Sequence, residues 1–127
     1  MICVDSSALF AIASGEPEDA ACIARLVRET QALISAATLA EVMIVCRRRD
    51  LDNELRELLD TLDLVVVDVD AAAARRAAAA YAIWGKGRHS ARLNYGDCFA
   101  YEVAQRYGCP LLFVGDDFSQ TDIQSAL

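Results

Sequence analysis

Histidine is nearly absent from this chain: His89 is the only one among 127 residues. That removes zinc centres built on several imidazoles, and it removes nucleophile–base relays that turn on a histidine. Positive charge is also scarce, with 12 Lys and Arg against 19 Asp and Glu and a net charge of −7. Non-specific adhesion to nucleic acid is therefore disfavoured. No C-x-x-C pair occurs among the five cysteines Cys3, Cys22, Cys46, Cys98 and Cys109. An odd number, with Cys3, Cys22 and Cys46 on apolar positions, predicts buried free thiols in a reducing compartment. No apolar run approaches the ~20 residues that span a bilayer. The opening MICVDSSALF has no basic stretch and is too short for a secretory signal. The expectation is a cytoplasmic protein without membrane contact.

Apolar residues are plentiful at 55%, which supports a full core, and the length suits one domain over residues 1–127. Ile2 to Val4 is a short apolar run, read as a buried parallel strand ending at Asp5. Ser6 and Ser7 offer N-cap oxygens to a helix through Leu9, Phe10 and Ile12 that Gly15 ends. Glu16 to Asp19 reads as the opening of a second helix. Ala32 to Ser35 is a second strand. Ser35 or Thr38 starts the next helix, and Thr38 and Glu41 have the spacing of a capping box. Leu51 to Leu62 carries leucines at helical steps. Leu64 to Val67 is a third strand, and Ala71 to Trp84 an alanine-rich helix. Gly85 to Leu93 (GKGRHSARL) breaks the pattern as an exposed, mobile loop. Asp97 to Tyr107 is helical, with Gly108 and Pro110 closing it. Leu111 to Val114 is the fourth strand, and Asp116 to Ser125 a polar loop with one helical turn. The order β-α-α-β-α-α-β-α-α-β predicts a three-layer α/β/α sandwich on a central parallel sheet.

Four acidic stations stand out against that frame. Asp5 follows the first strand, and Asp116 with Asp117 follows the last. Glu41 and Asp97 fall in the first turns of helices whose N-termini face the same sheet edge. Ligands of open α/β sheets bind at the carboxyl ends of the strands. Carboxylates crowded there repel one another unless a cation neutralises them. Oxygen donors without supporting His or Cys favour a hard cation, Mg²⁺ or Mn²⁺. Such ions act commonly on phosphate esters, so the acids point to a metal-dependent nuclease. A single histidine makes cleavage through a cyclic phosphate by a histidine pair implausible. An aspartyl phosphatase is disfavoured because Asp5-Ser6-Ser7 is not D-x-D, and a receiver domain lacks both its acid pair and its late lysine.

Four blocks then carry a family resemblance: VDSSAL (Val4 to Leu9), T-x-x-E (Thr38 to Glu41), LNYGDCFAYEVA (Leu93 to Ala104) and LLFVGDDFSQTDI (Leu111 to Ile123). In this order and spacing the chain resembles the PIN-domain ribonucleases, most closely the VapC toxins of type II toxin–antitoxin modules. The resemblance implies a Mg²⁺- or Mn²⁺-dependent endoribonuclease that arrests growth by cutting tRNA or rRNA. It implies Asp5, Glu41 and Asp97 as the main acids, with Asp117 or Asp116 as the fourth. It further implies a VapB-type antitoxin as inhibitor and a homodimer. A PIN-like module that binds RNA or protein without cutting is the alternative.

Around the acids, Ser6 is a candidate donor to a carboxylate or a phosphate, and Asn94 a candidate to position Asp97 or touch RNA. Lys86, Arg88 and Arg92 in the glycine-broken loop are candidate phosphate contacts. Thr121 and Asp122 are candidate outer partners of the site. Arg47 to Arg49 suit the negative end of a helix, His89 an exposed inert position, and Tyr81 and Trp84 the core or a subunit contact.

Overall fold

The computed structural model describes residues 1–127 and places four parallel strands in the order β3-β2-β1-β4. These are β1 (Ile2–Val4), β2 (Ala32–Ser35), β3 (Leu64–Val67) and β4 (Leu111–Leu112). Six helices connect them: α1 (Ser6–Ser14), α2 (Asp19–Val27), α3 (Ala36–Arg48), α4 (Asp52–Thr61), α5 (Ala71–Trp84) and α6 (Tyr95–Tyr107). The sheet grows from β1 through β2 to β3 on one side, then returns to place β4 on β1's other side. That reversal is a switch point between β1 and β4, where two connections part and leave a crevice above the strand ends. Asp5 ends one of those strands, and Asp116 and Asp117 follow the other.

Period-two alternation divides the strands between two cores. Cys3, Leu33, Val67 and Leu111 point to a cluster shared with α5 and α6, which includes Leu93, Phe99, Tyr101 and Val103. Ile2, Val4, Ala32, Ile34 and Leu112 point to a cluster with Leu9, Cys22, Leu26, Val42, Cys46 and Leu55 from α1 to α4. Both faces of the sheet are thus covered, which gives the three-layer sandwich and explains strands of near-continuous apolar residues. All five cysteines are free and buried. The edge strand β3 is the exception to full coverage, with Val65 and Val66 exposed.

Several boundaries differ from the sequence expectation, each for a local reason. The second helix starts at Asp19, because Glu16 and Asp19 N–H groups are taken by turns on Ala11 and Glu16 carbonyls. Helix α3 starts at Ala36, with Ser35 as N-cap accepting from Ala37 N–H at 3.2 Å. The Thr38–Glu41 capping box therefore does not form, and Glu41 lies in the second turn instead of the first. Helix α6 starts two residues early, at Tyr95, since Asn94 caps it. Strand β4 stops at Leu112 because the Val114 N–H turns away to Ser7 Oγ at 3.1 Å. Residues 116 to 121 form consecutive tight turns, with Ser119 N–H on Asp116 O and Thr121 N–H on Phe118 O, and no helix. Residues 86–90 of the loop are exposed as expected, but Gly85 and Leu93 at its ends are buried and pinned by Lys86 N–H to Leu93 O and Leu93 N–H to Trp84 O. No helix is long and apolar enough to cross a membrane.

Candidate functional site

Asp5 is the deepest of the acids, only 3% exposed. It is the N-cap of α1 in extended backbone, a position dictated by a strand running straight into a helix. Ser7 donates to Asp5 Oδ2 twice, from its N–H at 3.1 Å and its Oγ at 2.6 Å. The same Ser7 Oγ accepts from Val114 N–H, so it ties the ends of β1 and β4 together across the crevice. Asp5 Oδ1 is buried and has no hydrogen-bond partner. A buried carboxylate oxygen without a donor is costly, so this atom marks where positive charge is wanted.

Glu41 and Asp97 come from the two helices that face this point. Glu41 is half-buried, and Ser6 Oγ donates to its Oε1 at 2.6 Å. Consecutive serines thus serve two carboxylates: Ser6 orients Glu41, and Ser7 orients Asp5. Asp97 is 7% exposed and sits in the first turn of α6. It shares a reciprocal capping box with Asn94, whose side chain accepts from Asp97 N–H while Asp97 Oδ2 accepts from Asn94 N–H, both at 2.9 Å. The box that the T-x-x-E spacing suggested for α3 is formed here instead.

Asp5 and Asp97 respond to the charges around them. Burial raises the Asp5 carboxyl, the Ser7 hydrogen bonds oppose that rise, and the Glu41 charge adds to it. Asp97 is pushed up to about 7, first by burial, with the charges of Asp117, Asp5 and Glu41 adding to it against the Asn94 hydrogen bond. Asp117 is exposed on the turn after β4. Asp116, also exposed, offers its carbonyl to Ser119. No three acid, imidazole or thiol side chains are gathered as a ready-made cage. Ser6, Ser7 and Asn94 each hydrogen-bond one carboxylate, Glu41, Asp5 and Asp97 respectively. An all-oxygen set of crowded carboxylates, one with an orphaned buried oxygen, nevertheless suits a hard divalent cation.

Gly96 explains how close the helices come. A side chain on it would overlap the Glu41 carboxylate, whereas its backbone angle needs no glycine. Gly96→Ala should leave stability within about 1 kcal/mol, since alanine favours a helix. Its methyl group would displace Glu41 from Ser6, and misplacing one active-site group lowers a rate by up to roughly 100-fold. Thermal unfolding beside a cleavage assay separates the two effects.

The remaining sequence candidates fall outside the carboxylate cluster. Lys86, Arg88, Arg92 and Asn94 are exposed, on the segment that leads into α6. Arg47, Arg48 and Arg49 end α3 away from the acids, with Arg47 near Asp52 at 3.8 Å and Arg49 over the Phe10 ring. His89 is exposed, accepts from Ala91 N–H through Nδ1, and stands edge-on to Trp84. Asp122 accepts from the buried Tyr101 hydroxyl at 2.7 Å, which also accepts from Trp84 Nε1 at 3.0 Å. Thr121 Oγ1 donates to Phe118 O. These bonds anchor the Asp116–Ser125 segment on α6. Ser7, Gly96 and Tyr101 were not anticipated as site residues. A second serine after a strand-ending Asp was the one available signal for Ser7.

Comparison with known proteins places the chain in a family. A family model described as PIN domain matches residues 2–124. The VapC ribonuclease Mb0640 of Mycobacterium bovis is 44% identical, over 94% of each chain. Ribonuclease VapC42 of Mycobacterium tuberculosis is 43% identical over 97% of each. Among solved structures, Mycobacterium tuberculosis VapC20, described as a sarcin-ricin loop cleaving toxin, superposes with a TM-score of 0.77 at 17% identity, covering 97% of this chain and 96% of that one. A toxin–antitoxin complex from Klebsiella pneumoniae gives a TM-score of 0.72 at 20% identity, covering 96% and 93%. At those identities the two structures speak for the fold alone.

Proposed function

The chain belongs to the PIN-domain family, and from that premise we propose that it is a metal-dependent endoribonuclease, the toxin of a type II toxin–antitoxin module. The observation that carries this reading is the buried Asp5 Oδ1, unpartnered and beside three further carboxylates at the β1/β4 switch point. Asp5, Glu41, Asp97 and Asp117 would hold Mg²⁺ or Mn²⁺. Bound there, the cation supplies neutralising charge and Lewis acidity toward a phosphodiester.

The protein's own groups divide the remaining work. Asp5 is locked by Ser7, so its free oxygen has one fixed direction. Glu41 commits Oε1 to Ser6, which leaves Oε2 to accept the proton of an attacking water. Asp117 is chosen over Asp116 because its charge reaches Asp97. Lys86, Arg88 and Arg92, exposed on the segment before α6, would suit RNA phosphates. Hydrolysis of this kind leaves 5′-phosphate and 3′-hydroxyl ends and needs no 2′-hydroxyl. A tRNA or rRNA target, a VapB-type antitoxin and a homodimer complete the reading, and the acidic surface suits a basic inhibitory segment.

The test is incubation of inhibitor-free protein with total RNA in Mg²⁺, Mn²⁺ or EDTA. Cleavage at a few sites, abolished by EDTA and bearing 5′-phosphate ends, is the expected result. RNA binding without cleavage by folded, metal-loaded protein would replace this reading with the non-catalytic module.

A further inference from the structure

A groove of about 550 Å³ runs between α5 and α6; none of the four acids lines it, but Asn94, which does, is hydrogen-bonded to Asp97. Its floor is alanine: Ala74, Ala77 and Ala78, whose small side chains leave the depression open. Its walls are aromatic, from Tyr81, Tyr95 and Phe99. Tyr95 is 78% exposed, and its ring stands edge-on to Phe99 at 4.9 Å, so its outer face is free. Lys86 is the only charged residue lining the groove, and it forms no ion pair within the chain. Asn94 sits at the same mouth, exposed, and caps the helix whose third residue is Asp97. Two groove residues, Asn94 and Tyr95, therefore lie in the same first turn of α6 as Asp97.

We propose that this groove is a nucleobase subsite: an unpaired base of the RNA substrate stacks on Tyr95 over the alanine floor, while Lys86 meets an adjoining phosphate. The inference rests on the endoribonuclease reading and narrows its substrate to RNA with an unstacked nucleotide beside the scissile bond. The fit is chemical. A flat apolar slot with one cation at its lip matches a ligand that is a flat ring at one end and an anion at the other. Aromatic faces accept any base, while a cation near the rim neutralises backbone charge. A base inside a duplex cannot reach such a slot, so loops and single strands are selected without sequence reading. A second copy of this chain is the competing occupant, but it offers no reason for a lone lysine at the mouth of an acidic protein.

The experiment uses the whole protein, metal-free, titrated with purine and pyrimidine nucleoside 5′-monophosphates and, as the base-free control, ribose 5-phosphate. NMR amide and aromatic shifts are the readout. Nucleotides should shift Ala77, Tyr81, Tyr95 and Phe99, and ribose 5-phosphate should not. Tyr95→Ala should weaken binding of a short single-stranded oligoribonucleotide by roughly tenfold, the scale of one lost stack. Tyr95→Phe should restore it. Equal shifts from ribose 5-phosphate, or no shifts in the groove, would overturn the proposal. So would a Tyr95→Ala protein that turns from dimer to monomer in sedimentation while nucleotides leave the groove untouched, since the occupant is then a second copy. Groove occupancy by nucleotides without any RNA cleavage would sink the ribonuclease reading and leave the subsite standing. Cleavage unchanged in Tyr95→Ala would do the reverse.

Discussion

Asp5→Asn should abolish metal-dependent cleavage while making the metal-free protein more stable. The substitution keeps the shape, and the asparagine oxygen can still accept from Ser7 N–H and Oγ as Asp5 Oδ2 does. Its amide then points where the orphaned Oδ1 lies and donates toward the neighbouring carboxylates, where a second negative charge had raised the energy. Removing a group whose charge burial disfavours should raise the unfolding free energy of the metal-free protein. Activity should fall by well over about 100-fold, because even outer partners of a metal ligand are worth 10–100-fold. Chemical denaturation in EDTA, paired with cleavage in Mg²⁺, reads both. A variant that lost activity and stability together would mean Asp5 is a helix cap and nothing more.

Asp97 gives the second large effect, a dependence of metal-free stability on pH. Its carboxyl titrates at about 7 in the folded protein, against about 4 for an unfolded aspartate. Between those values the folded state keeps a proton that the unfolded state has released. Stability is therefore fully present below about pH 4, falls as pH rises through that window, and levels off above about 7. The expected loss is on the order of 2–4 kcal/mol. Asp5, also raised by burial, adds to the fall with the same sign. A saturating divalent cation competes with the proton, so it should flatten the slope and stabilise most at high pH. Urea midpoints from pH 4.5 to 8.5, with and without Mn²⁺, measure this. A metal-free protein that grew more stable across the same range would contradict a crowded, uncompensated site.

These effects explain which features could be read along the chain and which could not. The strand ends were legible because apolar runs stop at charged residues, as at Asp5, and because buried strands need no alternation. The converging acids were legible because parallel topology collects strand ends on one edge. Glu41 was misplaced by one turn because Thr38-x-x-Glu41 and Asn94-x-x-Asp97 have the same spacing, and local pattern cannot say which residue caps. Tertiary contact decided it: Ser35 captured the α3 cap, and Glu41 was left to Ser6. The shortening of β4 was equally hidden, since Val114 leaves the sheet for a serine 107 positions away. Gly96 carried no signal in the sequence, and only the approach of two helices shows why a side chain is excluded there.

The sheet's far edge has a consequence of its own. β3 lies at the opposite end of the sheet from the acids, and its Val65 and Val66 meet solvent. An uncovered run of valines with free backbone groups on one side is a template for another chain to add a strand. Here the run Leu64–Val67 is bracketed by Asp63 and Asp68. Two like charges flanking four apolar residues repel an identical strand laid alongside in register. The excess of acid that looked at first like a bar to nucleic acid therefore has a second use, as insurance against self-association of the one strand the fold leaves open.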